Sequence, residues 1–415
     1  MYMQGTHGAG PVSQLQVISP AGTPISKILM AELPTIYKRT ATGKVQQWRI
    51  FTEGGAYITE EGIVGGKLSR TMPHVCEVKN PGKANATTAE EQALKEAEAK
   101  RKKKLETGYA ETIEGIDSVV FKKPMKGDKY KDREDEMTFP VYVQDKLNGI
   151  RCQNEIKGAL STGGKLFHTI QHIRAALRAV YEEYPDAFID GEAFNTKMRS
   201  HLNRLIEIVS VVYQPKDVTP AMVVESAELV KLHIFDGFGF NGITKKTPWI
   251  QRYEATASLI DHLKKTREGC ECLVMHPYWV AKNKAELAAA KARNFKEKGE
   301  GLMYRWGVCE YIHGRSKYLL KDKHFEDAEF EIVSIQEGNG DWVGCAKQIT
   351  LKLPKPAPDG QETFNSNIEG DRGWLRALYE RREEFVGELA TVEYQHLSEY
   401  GVPQIPFVRA IRNYE

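Results

Sequence analysis

Charged residues stand where apolar strands ought to continue, at Lys146, Glu192, Asp236, Glu300, Lys321 and Lys323. They interrupt or adjoin the runs VYVQDKLNGIR, AFIDGEAF, KLHIFDGF, EGLMYR and LLKDK. An unpaired charge in a sheet core is costly, so one such residue is routine in a turn, whereas several together point to a polar cleft between sheets. Lysines and carboxylates around a cleft suit a nucleotide and a magnesium ion, which binds through one or two carboxylates and phosphate oxygens. A lysine amine is a nucleophile only when neutral, and at its unperturbed pKa of ~10.4 about one molecule in 10³ is neutral near pH 7.5. Neighbouring cations or desolvation must supply up to ~4 kcal/mol to change that. Lys321 and Lys323, with Arg151 and a bound cation, would provide such a field around Lys146.

Those residues need at least two sheets to hold them, and the chain is long enough for more than one domain. With 415 residues it exceeds the ~250–300 at which single cores stop growing. Residues 1–32, weakly patterned and containing Gly, Ser, Pro and Thr, read as a flexible leader. Residues 33–114 read as a small β-then-α module: short strands in IYKRT, VQQWRIFTE and AYITEEGIVGGKLSR, then one helix ending at Gly108. Thr88 and Glu91 make the Thr-x-x-Glu capping box that starts this helix. From 115 to 324 strands and helices alternate; Ile170, Ile173, Leu177, Val180 and Tyr184 mark one amphipathic helix, and LVMHPYWV (273–280) reads as one strand. Residues 325–415 carry short alternating strands (FEIVSI, QITLKL, ELATVEYQ, FVRAIR) and a helix near Trp374–Phe385, the pattern of a small barrel of the oligonucleotide-binding (OB) kind. Trp342 and Trp374 are expected in its core.

Composition narrows the class. No apolar run approaches the ~20 residues of a membrane span, and the N-terminus lacks a basic-then-apolar signal, so a cytoplasmic protein with no membrane partner is expected. The six cysteines are scattered, and Cys270 with Cys272 has no second pair to complete a zinc site. Net charge is only +2, but KRKKK at 100–104 and the basic stretch 314–323 are local polyanion candidates. His233, His276 and His324 read as satisfied structural residues rather than ligands.

The order of these segments resembles the ATP-dependent DNA ligases, within the covalent nucleotidyltransferase superfamily that also holds RNA ligases and mRNA capping enzymes. KLNGIR (146–151) resembles the family's Lys-x-Asp-Gly-x-Arg, with Asn148 in the Asp position; DGE (190–192), IFDGF (234–238), EGLMYR (300–305) and LLKDKHF (319–325), preceded by GRS (314–316), match later motifs in order. The resemblance implies an α+β fold: an adenylation (nucleotidyltransferase) domain of two antiparallel sheets with flanking helices, then a C-terminal OB-fold barrel. It implies that Lys146 attacks the α-phosphate of ATP to give a lysyl-adenylate, from which AMP passes to a 5′-phosphate so that a 3′-hydroxyl can seal a nick. By the same resemblance Gln144, Arg151, Glu192, Phe235, Lys321 and Lys323 would bind nucleotide, with Phe235 stacking on adenine and Gln144 accepting from its amino group. Glu192 and Glu300 would hold Mg²⁺ or Mn²⁺, and Arg315 would meet nicked duplex DNA. Thr162 in STGGK stands where the family has a phosphate-contacting arginine.

The N-terminal module resembles a WGR domain more faintly, through Trp48, VGGKLSR (64–70) and the helix end KKKLETGY (102–109), although Glu61-Gly62-Ile63 replaces the signature tripeptide. On that resemblance Lys102, Lys103 and Lys104 would contact DNA phosphates. A monomeric ligase acting in replication, repair or recombination is the leading expectation. An RNA ligase or capping-type enzyme using the same lysine, and an inactive nucleic-acid clamp, are the alternatives.

Overall fold

The computed structural model describes residues 30–40, 42–118, 123–198, 202–210, 213–398 and 400–412; all but the last three residues of the expected leader lie outside them. The chain forms two compact units. The first takes the described residues of 1–121 with 336–347 and 371–380, and the second takes those of 122–335 with 348–370 and 381–415.

In the first unit, β1 (Ala31–Glu32), β2 (Ile36–Arg39), β3 (Val45–Glu53), β4 (Ala56–Ile63), β5 (Ser69–Arg70) and β6 (His74–Val75) form a six-stranded sheet around the β3–β4 hairpin. Along β3 the buried residues Trp48, Ile50 and Thr52 alternate with more exposed ones, as a strand with one covered face requires. The cover is α1 (Ala89–Glu106), whose Ala93 and Ala97 are fully buried against Ile36, Trp48 and Tyr57. Its capping box is formed as expected: Glu91 N donates to Thr88 Oγ1 (3.2 Å) and Thr88 N to Glu91 Oε2 (3.0 Å).

The second unit begins with β7 (Lys126–Lys129), β8 (Val141–Asp145), β9 (Ile150–Glu155), β10 (Gly158–Leu160), α2 (Gln171–Glu183), β11 (Phe188–Phe194), α3 (Leu202–Ile208), α4 (Pro220–Leu229) and β12 (Lys231–Phe238). It continues with α5 (Trp249–Thr266), β13 (Leu273–Met275), β14 (Trp279–Ala281), α6 (Lys284–Lys296), β15 (Gly301–Arg305) and β16 (Arg315–Lys323). One five-stranded sheet runs β10-β9-β11-β12-β13 and a second runs β14-β8-β15-β16-β7. Ile173, Leu177 and Val180 of α2 and Ile260 and Leu263 of α5 share a core with Ile189, Leu232 and Ile234 of the first sheet. Leu287 and Ala290 of α6 join the core of the second.

Two expectations about the strands are corrected. The sheets are not wholly antiparallel, because β13 pairs parallel to β12 and β7 pairs parallel to β16. LVMHPYWV is two strands in different sheets, broken at His276-Pro277, where the proline restricts the backbone before it. Helices α3 and α4 have no clear sequence periodicity; α4 is nevertheless marked by Thr219, which accepts from Met222 N (3.3 Å), and by Pro220 in its first turn.

After this come β17 (Glu326–Glu337), β18 (Ala346–Lys352), β19 (Thr363–Ile368), α7 (Arg372–Glu380), β20 (Leu389–Tyr394) and β21 (Phe407–Arg412), the five strands closing a barrel in the order β17-β18-β19-β21-β20. The helix expected near Trp374–Phe385 is α7 followed by a separate 3₁₀ turn, Arg382–Phe385. Trp342 and Trp374 are 38% and 43% exposed and are not core residues. The result is a mixed α/β protein with seven α-helices among the described residues.

Candidate active site

The side chains that break the strand pattern converge where the two sheets of the second unit meet. Lys146 follows β8 directly, and its backbone N–H donates to Gly301 O (2.8 Å). Its ammonium lies 2.6 Å from Glu300 Oε2, while Lys323 Nζ lies 3.1 Å from Glu300 Oε1, so one carboxylate is shared by two lysines. Glycine makes this approach possible at two points. A Cβ on Gly301, whose φ is +143°, would stand 2.2 Å from Asp322 O, and one on Gly149 would stand 2.7 Å from Ala193 O and Glu192 Cγ.

An open cavity of about 230 Å³ lies beside Lys146, lined among others by Gln144, Arg151, Glu192, Phe235, Arg305 and Lys321. A larger groove beside α2, lined by Ile156, Phe167, Arg174 and Arg178, gathers none of these lysines and carboxylates.

Cross-strand register sets the cavity's first wall. Glu192 on β11 pairs with Arg151 on β9 and with His233 on β12. Burial pushes the Glu192 carboxyl up to about 7, against the opposing pull of Arg151 and Lys146. Arg151 grips Asp190 in two-point fashion (Nε–Oδ1 2.7 Å, Nη2–Oδ2 2.6 Å) and stacks 4.5 Å from the Phe235 ring centroid. Burial opposes its charge, but Asp190 outweighs burial and holds the guanidinium protonated. Tyr311 completes the clamp by donating to Asp190 Oδ2 (2.6 Å).

The second wall comes from β8, β15 and β16. Lys321 carries a pKa below the ordinary lysine value, first through burial and then through Lys323, Arg315 and Lys146. Gln144 donates from Nε2 to His276 O (2.8 Å) and accepts from Arg305 Nη1.

The structure thus gathers Lys146, Gln144, Arg151, Glu192, Phe235, Glu300, Lys321 and Lys323 around one cleft, with Arg315 at its rim, 3.4 Å from Asp128. Asp236 is different: it is pinned by the buried Arg252 (2.7 Å at both oxygens) and does not line the cavity. Lys102 and Lys103 are exposed on α1, whereas Lys104 sits 5.1 Å from the ring centroids of both Trp48 and Tyr109 and 3.5 Å from Glu61. Of the histidines, His276 bonds Asp145 O and His324 bonds Asn294 Oδ1 (2.8 Å each), but His233 Nδ1 is buried without a hydrogen-bond partner. Burial holds the His233 ring at about 4, so it is neutral at pH 7. Sequence reasoning missed Asp190, Tyr311 and Arg305; the first and last stand inside quoted motifs, and Tyr311 carries no local signal.

Two sheets around a lysine-carboxylate cleft, with a closed barrel after them, can be set beside known proteins. No family model matches the chain. The DNA ligase of African swine fever virus (isolate Warthog/Namibia/Wart80/1980) is 29% identical over 304 residues, which are 70% of this chain and 65% of the viral protein. Among solved structures, a Lig E DNA ligase described as "DNA binding with a minimal scaffold" superposes with a TM-score of 0.55 at 19% identity, covering 71% of this chain and all of that one. Pmar-Lig_PreS3 gives 0.57 at 18%, covering 71% and 68%. In sequence the chain is similar to viral DNA ligases, and in fold to a solved DNA ligase. The match spans only 65% of the viral relatives' length.

Proposed function

We propose that the protein seals 3′-hydroxyl/5′-phosphate nicks in duplex DNA through a covalent AMP on Lys146. The observation that carries this reading is the lysine held by Glu300 beside a cavity rich in cations. The Lys146 amine forms a P–N bond to the α-phosphorus of ATP, and pyrophosphate leaves. The AMP then moves to the nick's 5′-phosphate. Attack by the 3′-hydroxyl forms the phosphodiester and expels AMP. Such transfers rest on positioning and charge neutralisation more than on acid–base chemistry.

Phe235 offers its ring to the adenine, Arg151 and Glu192 flank the ribose, and Lys321 with Lys323 neutralises the α-phosphate. The contact with Glu300 must open before the Lys146 amine can attack. The donor set suits Mg²⁺, since burial outweighs Arg151 and Lys146 in raising the Glu192 pKa, and a further positive charge beside it would favour the ionised carboxylate. When bound through Glu192 and Glu300, the ion would neutralise phosphate charge and favour loss of the lysine proton.

The barrel is read as an OB fold and the N-terminal sheet with α1 as a WGR-like DNA-binding module. The corresponding layout is 33–114 for the module, 115–324 for adenylation and 325–415 for the barrel. Exposed Lys102, Lys103 and Arg315 are the phosphate contacts in this reading. No helix among the described residues is long and apolar enough to cross a membrane.

The test is to strip the protein of bound AMP with pyrophosphate, then incubate it with Mg²⁺ and ATP labelled at the α-phosphate, beside Lys146→Ala. Label on the wild type alone, with nick sealing reduced at least ~10³-fold in the variant, is expected. A Lys146→Ala protein that sealed nicks normally would sink the mechanism.

A further inference from the structure

Lys146, Glu300 and Lys323 all stand at strand ends: just after β8, just before β15 and at the last residue of β16. Asn294, in the last turn of α6 and only 2% exposed, reaches all three ends. Its Nδ2 donates (2.6 Å) to Oδ1 of Asp145, the residue before Lys146. Its Oδ1 lies 2.8 Å from Nε2 of His324, the residue after Lys323. Its backbone carbonyl accepts (2.8 Å) from the N–H of Gly299, the residue before Glu300, and a Cβ on Gly299 would collide with the Asn294 amide.

The orientation of this amide is dictated by its neighbours. The Asp145 carboxylate, which also faces Arg293 Nη2 (3.4 Å), can only accept when ionised, so the Asn294 atom against it is the NH₂. The amide oxygen is left for His324, whose Nε2 therefore carries the proton. The Asp145 main chain is held as well, its carbonyl lying 2.8 Å from His276 Nε2.

Backbone pairing sets the register here, with Lys146 N donating to Gly301 O (2.8 Å) and His324 N to Glu300 O (3.1 Å). Strand ends are nevertheless where a sheet opens most readily. A displacement of about 1 Å at a reacting group can cost on the order of 10²-fold in rate. We propose that Asn294 is a positioning residue, which sets the Lys146 amine against Glu300 and Lys323 by tying together the three strand ends that carry them. The inference rests on the reading of Lys146 as the nucleotide acceptor.

The experiment follows single-turnover labelling of the full chain by ATP labelled at the α-phosphate, below the melting temperature of every variant. Wild type is compared with Asn294→Asp and with the double variant Asp145→Asn, Asn294→Asp. The single change keeps the shape but sets carboxylate against carboxylate, whereas the double change exchanges donor and acceptor and leaves an oxygen for His324. Asn294→Asp is expected to lower the rate constant at saturating ATP at least about tenfold, with half-saturating ATP little changed. The double variant is expected to return to within about threefold of wild type, as a restored pair should. Where Asn294→Asp fails to fold, Asn294→Ala, which removes the amide without adding charge, is expected to show the same slowing. A merely structural role would lower the labelled fraction along with the folded fraction and leave the rate constant alone, which would overturn the proposal, as would a double variant as slow as Asn294→Asp. Wild type that takes no label, once stripped of bound AMP with pyrophosphate, would overturn the reading of Lys146 itself and the proposal with it.

Discussion

Lysines and arginines meet aromatic rings in both units of the molecule, but their charges are used in opposite ways. On α1, Lys104 is held between Trp48, Tyr109 and Glu61, Lys100 sits 4.5 Å from the Tyr57 ring centroid, and Arg101 donates to Pro34 O (2.8 Å) and Glu111 (3.1 Å). In the cleft, two lysines divide one carboxylate, burial raises the Glu192 pKa to about 7, and the buried Arg305 Nε has no hydrogen-bond partner among the described residues. The densest basic run in the sequence thus spends part of its charge on fastening a helix to its sheet. The sparser charges of the cleft are left under-compensated, and under-compensated buried charge is what a ligand can exploit.

The sharpest test of this contrast concerns two arginine–carboxylate pairs with similar geometry. Arg252 and Asp236 are both almost wholly buried, with side chains 0% and 3% exposed. Arg39 and Asp117, in the first unit, are 45% and 69% exposed. Asp236→Ala leaves an uncompensated buried guanidinium and is expected to destabilise by about 3–5 kcal/mol, whereas Asp117→Ala, at a solvent-screened pair, is expected to cost far less. Urea unfolding of both variants checks the ranking, and equal losses would break it.

Glu192 gives the next largest effect, with a sign set by its raised pKa. Below about pH 4.5 the carboxyl is protonated whether the chain is folded or not, so it contributes no difference. As pH climbs toward 7, the unfolded chain gives up its proton while the folded one retains it, and stability declines; above about 7 the penalty levels off. Replacing Glu192 with Gln removes the penalty. Glu192→Gln is expected to match wild type near pH 4.5 and to exceed it by on the order of 3 kcal/mol at pH 8, while losing labelling of Lys146. Thermal melts at the two pH values decide it, and a variant less stable than wild type at pH 8 would mean that burial is not the dominant influence on this carboxyl.

How much of this was legible depended on whether a residue's partner was local. Lys146, Glu192, Glu300, Lys321 and Lys323 stand out because each disturbs an apolar strand, and strands have a short, readable period. Asp236 disturbs its strand in the same way but answers to Arg252 on α5, and sequence does not show which charge will be neutralised by a fold contact. Arg305 went unnoticed for the opposite reason: at the end of EGLMYR it looks like a strand running out into solvent, and only the packing of Trp249 and Phe235 reveals a buried cation. His276-Pro277 did carry a local signal, the backbone restriction before proline, and it divides what reads as one strand between two sheets.

The smallest effect separates the lysines of α1 from one another. Lys104 braces the helix against Trp48 and Tyr109, so Lys104→Ala is expected to lower the stability of the chain by about 1 kcal/mol, as loss of partly buried cation–π contacts does. Lys102 and Lys103 are exposed, and their joint replacement by alanine is expected to leave the melt unchanged. If they contact phosphates, the double variant should bind nicked duplex more weakly and show a shallower dependence of log K on log salt, by up to about two. A titration at several salt concentrations reads both quantities. Were Lys104→Ala to flatten the slope while the Lys102, Lys103 double variant did not, the braced lysine would be the DNA contact, and the division of labour drawn along this helix would have to be reversed.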